Sequence, residues 1–209
     1  MKTLMSILVG LSVVAGLASA ATEEKKETMV DMDHARTAKA IFAGGCFWCM
    51  EPPFEKLDGV SAVVSGYIGG DKDNPTYQEV SAGKTGHAEA VEIRYDPARI
   101  SYKQLLDVFW MNVDPTDAQG QFVDRGSQYR TGIFYLDEEQ KKQAEASRDE
   151  LAKSGRFDRP IVTEIVAATR FYQAEDYHQD YYKESPVRYR FYRYNSGRDQ
   201  FLEKAWGKK

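Results

Sequence analysis

Two cysteines, Cys46 and Cys49, are the only sulfur nucleophiles in 209 residues, and two positions separate them in Gly44-Gly45-Cys46-Phe47-Trp48-Cys49. They can pair only with each other or with a thiol from outside the chain. As a structural clamp the pair is weak: the loop-entropy model gives a four-residue ring about 1.9 kcal/mol before strain, against about 3 for a fifteen-residue loop. As a redox pair it is well spaced, because the second thiol reaches the first with little chain movement. Paired glycines before Cys46 allow close backbone approach, and a helix start beyond it would favour a thiolate, so a lowered Cys46 thiol is expected. Pro52 and Pro53 complicate that picture. Neither can donate a backbone bond, so either they lie in the first helical turn or the turn carrying the cysteines is irregular.

Elements must hold that turn in place. Ala38 to Ala43 reads as a buried strand ending at the glycines, with Val60 to Ile68 and Ala88 to Tyr95 as two further strands. Ser101 is a helix N-cap, followed by Leu105, Leu106, Phe109 and Trp110 on one face. Arg130 to Leu136 follows as a strand. Asp137 and Gln140 then start a largely solvated helix ending at Gly155, and Ile161 to Ala168 supplies a fifth strand. Two successive strands between helices predict an α+β fold: a single-domain, two-layer α/β sandwich with a mixed sheet and a ferredoxin-like core. Long loops at 69–87 and 114–129 are uncommon in a compact domain unless they carry function, so site residues are expected there.

The opening segment has its own logic. Met1-Lys2-Thr3, an apolar run from Leu4 to Leu17 and the exit Ala18-Ser19-Ala20 predict a cleavable secretory signal over residues 1–20, too short for a comfortable membrane span. Residues 21–37 read as a solvated tail, leaving 38–209 as the folded domain. The expected location is secreted or periplasmic, with no membrane association after cleavage. The net charge of −4 calls for no polyanionic partner, and the aromatic and basic run from Tyr181 to Tyr194 is read as a packed, partly solvated C-terminal segment, not a nucleic-acid surface. A zinc site built from Cys46, Cys49, His87 and His178 is disfavoured because the histidines are far apart in sequence, so no metal is expected. The chain is expected to be a monomer.

Several motifs in order resemble the peptide methionine sulfoxide reductases of type A. They are Gly45-Cys46-Phe47-Trp48, Gly66-Tyr67, Asn74-Pro75-Thr76-Tyr77, Thr85-Gly86-His87-Ala88-Glu89-Ala90, Gly126-Ser127-Gln128-Tyr129-Arg130 and Glu175-Asp176-Tyr177-His178-Gln179, together spanning about residues 40 to 200. The resemblance implies reduction of methionine sulfoxide, S epimer, by attack of Cys46 on the sulfoxide sulfur. No bound cofactor is implied, only an external dithiol reductant of the thioredoxin-like kind. The departing oxygen must gain protons, and the resemblance makes Glu89 the acid, a role that suits a carboxyl held protonated in an apolar setting. It makes Tyr77 and Tyr129 the phenols that hydrogen-bond the sulfoxide oxygen, Asp124 a supporting polar residue, and Phe47 with Trp48 the wall that receives the S-methyl group.

Each of these residues has an ordinary alternative. Glu89 between two alanines on a strand could face solvent, and most of thirteen tyrosines must be packing or rim residues. Where many relatives resolve the sulfenic acid with a distal cysteine, this chain has none, so Cys49 is the one internal thiol able to close a disulfide on oxidised Cys46. The competing reading makes Cys49 a small buried residue and leaves reduction of the sulfenate to an external thiol. Two other function classes stay open at this level: a general Cys-x-x-Cys disulfide oxidoreductase, and a methionine-binding module with an inert bridge.

Overall fold

The structure is a computed structural model and describes residues 37–207. The proposed signal over 1–20 and the tail over 21–36 lie outside the described residues. Ala38–Lys209 forms one compact unit.

The chain runs β1 (Ala38–Gly44), α1 (Phe47–Glu55), β2 (Val60–Ile68), α2 (Tyr77–Ser81), β3 (Ala88–Tyr95) and α3 (Tyr102–Trp110). A small hairpin, β4 (Gly120–Gln121) and β5 (Asp124–Arg125), precedes a 3-10 turn at Ser127–Tyr129 and strand β6 (Thr131–Tyr135). Then come α4 (Glu138–Lys153), β7 (Glu164–Ala167), β8 (Tyr172–Gln173), a 3-10 turn at Asp176–His178, and helices α5 (Tyr181–Glu184), α6 (Pro186–Asn195) and α7 (Arg198–Trp206).

Six strands order as β7-β6-β1-β3-β2-β8, antiparallel except for the parallel β6·β7 pair. Its centre, β6-β1-β3-β2, is threaded strand, helix, strand, strand, helix, strand, which is the ferredoxin-like arrangement the sequence predicts. Alternation along the central strands divides the apolar residues between two faces. Ala40 and Phe42 of β1, Val91 and Ile93 of β3 and Ile133 of β6 meet Met50, Phe54, Leu105, Leu106 and Phe109 in the main core. Ile41, Ala43, Ala90 and Phe134 form a smaller cluster on the opposite face. The helices sit where the hydrophobic residues are.

Capping fixes the helix starts. Ser101 accepts from Gln104 N while Gln104 Oε1 accepts from Ser101 N, and Asp137 accepts from Gln140 N at 2.7 Å. Gln140, Ala144, Ser147 and Leu151 make the one buried stripe of α4, where Ser147 Oγ accepts from the Trp110 indole at 3.0 Å.

Two expectations need correction. The fifth strand is shorter than Ile161 to Ala168, because Val162 N turns away to Pro115 O and the ladder begins at Glu164. The loops at 69–87 and 114–129 are not structureless: the first contains α2, and the second is pinned by the buried Gln121 amide, which bonds both N and O of Asp114. The C-terminal segment, read as packed and partly solvated, is three helices preceded by an edge strand. Gln179 staples that edge, accepting from Ser65 N at 2.9 Å and donating to Ser65 O and Ala174 O. No helix among the described residues is long and apolar enough to cross a membrane.

Candidate active site

Strand β1 delivers the chain to Gly44 and Gly45, and Cys46 occupies the N-cap of α1. Gly45 is required twice over. Its φ is +80°, and a Cβ there would lie 2.6 Å from Gln121 Cβ and 2.9 Å from Arg198 Nη2. The first turn is tight, with Cys49 N bonding Cys46 O at 3.0 Å. Both prolines lie inside α1 and beyond its first turn, and the helix runs unbroken from Phe47 to Glu55, so neither expected alternative describes the turn; what the prolines remove is backbone donors. Pro53 cannot donate to the carbonyl of Cys49, four residues back, and Arg193 Nη1 reaches across from α6 to donate to it at 3.0 Å.

Both thiols are free and buried, Cys49 completely and Cys46 with 7% of its surface exposed. They hydrogen-bond each other. Burial pushes the Cys46 thiol well above its ordinary value, and the Cys49 bond and the neighbouring Glu89 push it the same way. Cys49 moves down to about 6, chiefly through the hydrogen bond from Cys46 and then through Arg198 and Arg193. The expected lowering of Cys46 is thus corrected: the two sulfurs share one proton, and the charge rests toward Cys49 because both arginines lie on that side.

Glu89 is 2% exposed, contrary to the solvent-facing alternative. It has the same strand parity as Val91 and Ile93, so it points under α1, where Oε2 accepts from Phe47 N at 3.1 Å. Burial lifts its carboxyl to about 8 against the opposing pull of that N–H bond. A protonated acid therefore stands beside the sulfur at neutral pH.

Tyr77 opens α2 and Tyr129 closes the 3-10 turn after the hairpin, so each long loop brings in one phenol. Burial raises both, and the charges of Glu89 and Cys46 raise them further, Tyr77 to about 12. They stay neutral and able to donate. Thr76 and Glu79 cap the start of α2 reciprocally, and Glu175 Oε1 accepts from Tyr77 N at 2.9 Å while its Oε2 accepts from Tyr67 OH. Asp124 is half-buried on β5; its carboxyl is raised by burial and accepts a hydrogen bond from Tyr192 OH.

Phe47 and Trp48 begin α1. Phe47 is in the core against Tyr67 and His178, whereas Trp48 is partly open and stacks on Tyr181 with centroids 3.8 Å apart. The Trp48 indole N–H donates to His178 Nδ1 at 3.2 Å, which places the imidazole proton on Nε2. His178 also packs on Tyr77 at 4.4 Å. Aromatic rings thus surround the turn that carries Cys46.

All eight residues singled out in the sequence converge here. His87 does not: its ring bonds Gly70 N and Lys72 O within the 69–87 loop, away from the cysteines. Tyr192, His178, Glu175, Arg193 and Arg198 were not singled out as site residues. The Glu175–Gln179 motif held two of them, and its spacing alone gave no role.

The family model for peptide methionine sulfoxide reductase matches residues 38–209. A Bacillus subtilis protein named peptide methionine sulfoxide reductase MsrA is 55% identical over 170 residues, covering 81% of this chain and 96% of that protein. A Vibrio cholerae protein named peptide methionine sulfoxide reductase MsrA/MsrB is 51% identical over 184 residues, 88% of this chain, and the chain spans only 49% of its length. Among solved structures, reduced Mxr1 from Saccharomyces cerevisiae superposes with a TM-score of 0.69 at 32% identity, covering 73% of this chain and 88% of that one. Mxr1 in complex with Trx2 matches with a TM-score of 0.51 at 25% identity, covering 70% and 86%. With the match running through every element that builds the pocket, the chain belongs to the peptide methionine sulfoxide reductase family.

Proposed function

We propose that this pocket reduces the S epimer of methionine sulfoxide with Cys46 as nucleophile. The protein is a peptide-methionine (S)-S-oxide reductase, an oxidoreductase with no bound cofactor that uses a thioredoxin-type dithiol as its reductant. The observation that carries the residue assignments is the buried, proton-bearing Glu89 bonded to the residue that follows Cys46.

The substrate enters against Trp48 with its S-methyl group on the aromatic wall, where sulfur–aromatic contact is favourable. Tyr77 and Tyr129 donate to the sulfoxide oxygen, and charge developing on that oxygen strengthens both bonds. Cys46 passes its proton to the Cys49 thiolate as its Sγ attacks the sulfoxide sulfur, and Glu89 gives its proton to the oxygen. The S–O bond to the substrate breaks as the oxygen bonds to Cys46 Sγ, the transient bond between the two sulfurs breaks with it, and methionine leaves with Cys46 as sulfenic acid. Cys49 Sγ then displaces the oxygen as water and forms the Cys46–Cys49 disulfide. Each cycle consumes two thiols, and the external dithiol restores them.

Support for this reading over a general disulfide oxidoreductase comes from the family match and from the acid and phenols around Cys46, for which disulfide exchange has no use. A methionine-binding module would not need a protonated acid against a thiol. The N-terminal pattern over residues 1–20 supports action outside the cytoplasm, secreted or periplasmic, with the reductant on the same side.

The deciding assay incubates reduced protein with a methionine sulfoxide peptide and no reductant. One methionine formed for two thiols lost is expected from the parent, and none from Cys46→Ser. Insulin reduction without methionine formation would instead indicate the oxidoreductase.

A further inference from the structure

Arg198 opens α7 and is 1% exposed. Its Nη2 donates to Gly44 O at 2.8 Å and its Nη1 to Asn112 O at 2.6 Å, and the guanidinium lies over the Phe122 ring at 4.7 Å. Among the described residues it has no carboxylate within ion-pair distance, and Nε is buried without a hydrogen-bond partner. Arg193, near the end of the preceding helix α6, is different: it is paired with Asp199 at 2.8 Å. A buried guanidinium keeps its charge, and neutral carbonyls and an aromatic face do not cancel it. It needs an anion.

Few groups can supply one. Glu89 on β3 faces the sulfurs but is held protonated, and the phenols of Tyr77, Tyr129, Tyr189 and Tyr192 are neutral. Asp124 on β5 feels Arg198, but its carboxylate accepts from the Tyr192 hydroxyl and makes no ion pair with the guanidinium. The other group here able to carry a negative charge is the hydrogen-bonded cysteine pair, two residues beyond the carbonyl that Arg198 grips, and Arg198 acts on Cys49 ahead of Arg193. Nη2 approaches so closely that Gly45 has no room for a side chain. Arg193 holds the far side of the same turn through Cys49 O.

We propose that Arg198 is the resident counter-ion of the Cys46–Cys49 pair, holding it as a thiol and thiolate when reduced and stabilising Cys49 as leaving thiolate when the disulfide is opened. The second half rests on the reductase reading. In that step the dithiol's thiolate attacks Cys46, the one of the two cysteines that keeps some exposed surface. A bond forms from its sulfur to Cys46 Sγ, the Cys46–Cys49 bond breaks, and the electron pair stays on Cys49 Sγ beside the two arginines. No proton has to reach the buried sulfur. The dithiol's second thiolate then displaces Cys46 and carries away the disulfide. A better-stabilised leaving thiolate speeds such exchange.

The test reads the sulfurs without substrate, so it stands or falls separately from the reductase assay. Ultraviolet thiolate absorbance is followed against pH in the reduced full chain, with folding checked by circular dichroism. A first midpoint at about 6 is expected for the parent. Arg198→Met should raise it by roughly one to two pH units, and Arg198→Lys, which keeps the charge, should stay nearer the parent. A folded Met variant with the parent's midpoint, or a Lys variant shifted as far as Met, would overturn the proposal.

Should Arg198→Met not fold, the reduced parent and Arg198→Lys are each compared with a Cys46→Ser/Cys49→Ser variant by urea unfolding. The unfolded Cys49 thiol holds its proton up to about its ordinary value of 9.0 while the folded one loses it near 6, so stability must rise with pH across that window. The rise should appear in the parent and the Lys variant and be absent from the double variant. A flat difference overturns the proposal as firmly as an unmoved midpoint.

Discussion

Glu89 Oε2 lies 3.1 Å from the backbone nitrogen of Phe47, so the Glu89 carboxyl and Cys46 are joined through a single peptide unit at the N-cap of α1. That bond favours the ionised carboxylate, yet burial outweighs it and carries the group up to about 8. Activity should therefore fall as pH rises through about 8, where Glu89 loses its proton. Glu89→Gln should cut the rate by about 10²- to 10⁴-fold and remove that alkaline limb, since an amide cannot supply the proton. A pH–rate profile of single-turnover methionine formation checks both.

The same residue makes a stability prediction of opposite sign. Glu89 in the unfolded chain titrates near 4.5 and in the folded chain near 8, so the folded form binds more protons between those values. Its contribution is fully present below about 4.5 and is lost as pH climbs through 8. At pH 8 the glutamine variant should be more stable than the parent by at least about 1 kcal/mol, and at pH 4 the difference should vanish. Urea midpoints at the two pH values decide it; an equal difference at both would remove burial as the cause of the raised carboxyl.

How far the sequence revealed this site depends on which residue is asked about. Glu89 was legible through its motif only: set between two alanines it read as readily as a solvent-facing residue, although it shares the strand parity of Val91 and Ile93, which face the core. The glycines, the cysteine spacing and the capped helices were readable directly, because each is a local signal. Tyr192, Arg193 and Arg198 were not. Helix α6 has no fully buried residue, so no apolar stripe announces it, and its polar side chains reach the cysteines only after the C-terminal segment folds back across the domain. A buried arginine in an acidic chain carries no periodic signature. The prolines inside α1 were a partial warning: the helix stays unbroken, but Pro53 cannot donate to Cys49 O and leaves it for Arg193 to satisfy.

Tyr77 and Tyr129 are neutral donors drawn from separate loops, and in the proposed reaction the sulfoxide oxygen they are assigned to carries most charge in the transition state. Tyr77→Phe and Tyr129→Phe should each lower the single-turnover rate by about 10²-fold with little change in substrate affinity, the mark of a bond made mainly in the transition state. If either variant instead raised KM at unchanged rate, that phenol would be a binding residue only.

Gly45 tests the packing under the nucleophile. Gly45→Ala must place a methyl group 2.6 Å from Gln121 Cβ and 2.9 Å from Arg198 Nη2 while keeping φ near +80°. The strain should cost about 1–3 kcal/mol, read by thermal or urea unfolding. Alanine accepted without loss would mean that neither the left-handed backbone nor the approach of Arg198 constrains this turn.

Cys49 separates the two halves of the chemistry. Cys49→Ser leaves Cys46, Glu89 and both phenols in place, so one methionine per chain should still form and Cys46 sulfenic acid should accumulate, detectable by a dimedone-type probe. Serine cannot displace the sulfenic oxygen, and without a thiol held in the same turn the recycling by a dithiol protein loses its intramolecular step. Turnover with that reductant should fall by at least about 10²-fold while the first turnover keeps its rate. The variant also removes the hydrogen bond that Cys46 shares with Cys49, so the rate should be compared across pH and not at one value. Equal turnover in variant and parent would show that the external thiol reduces the sulfenic acid directly, and would return Cys49 to a purely structural place in the core.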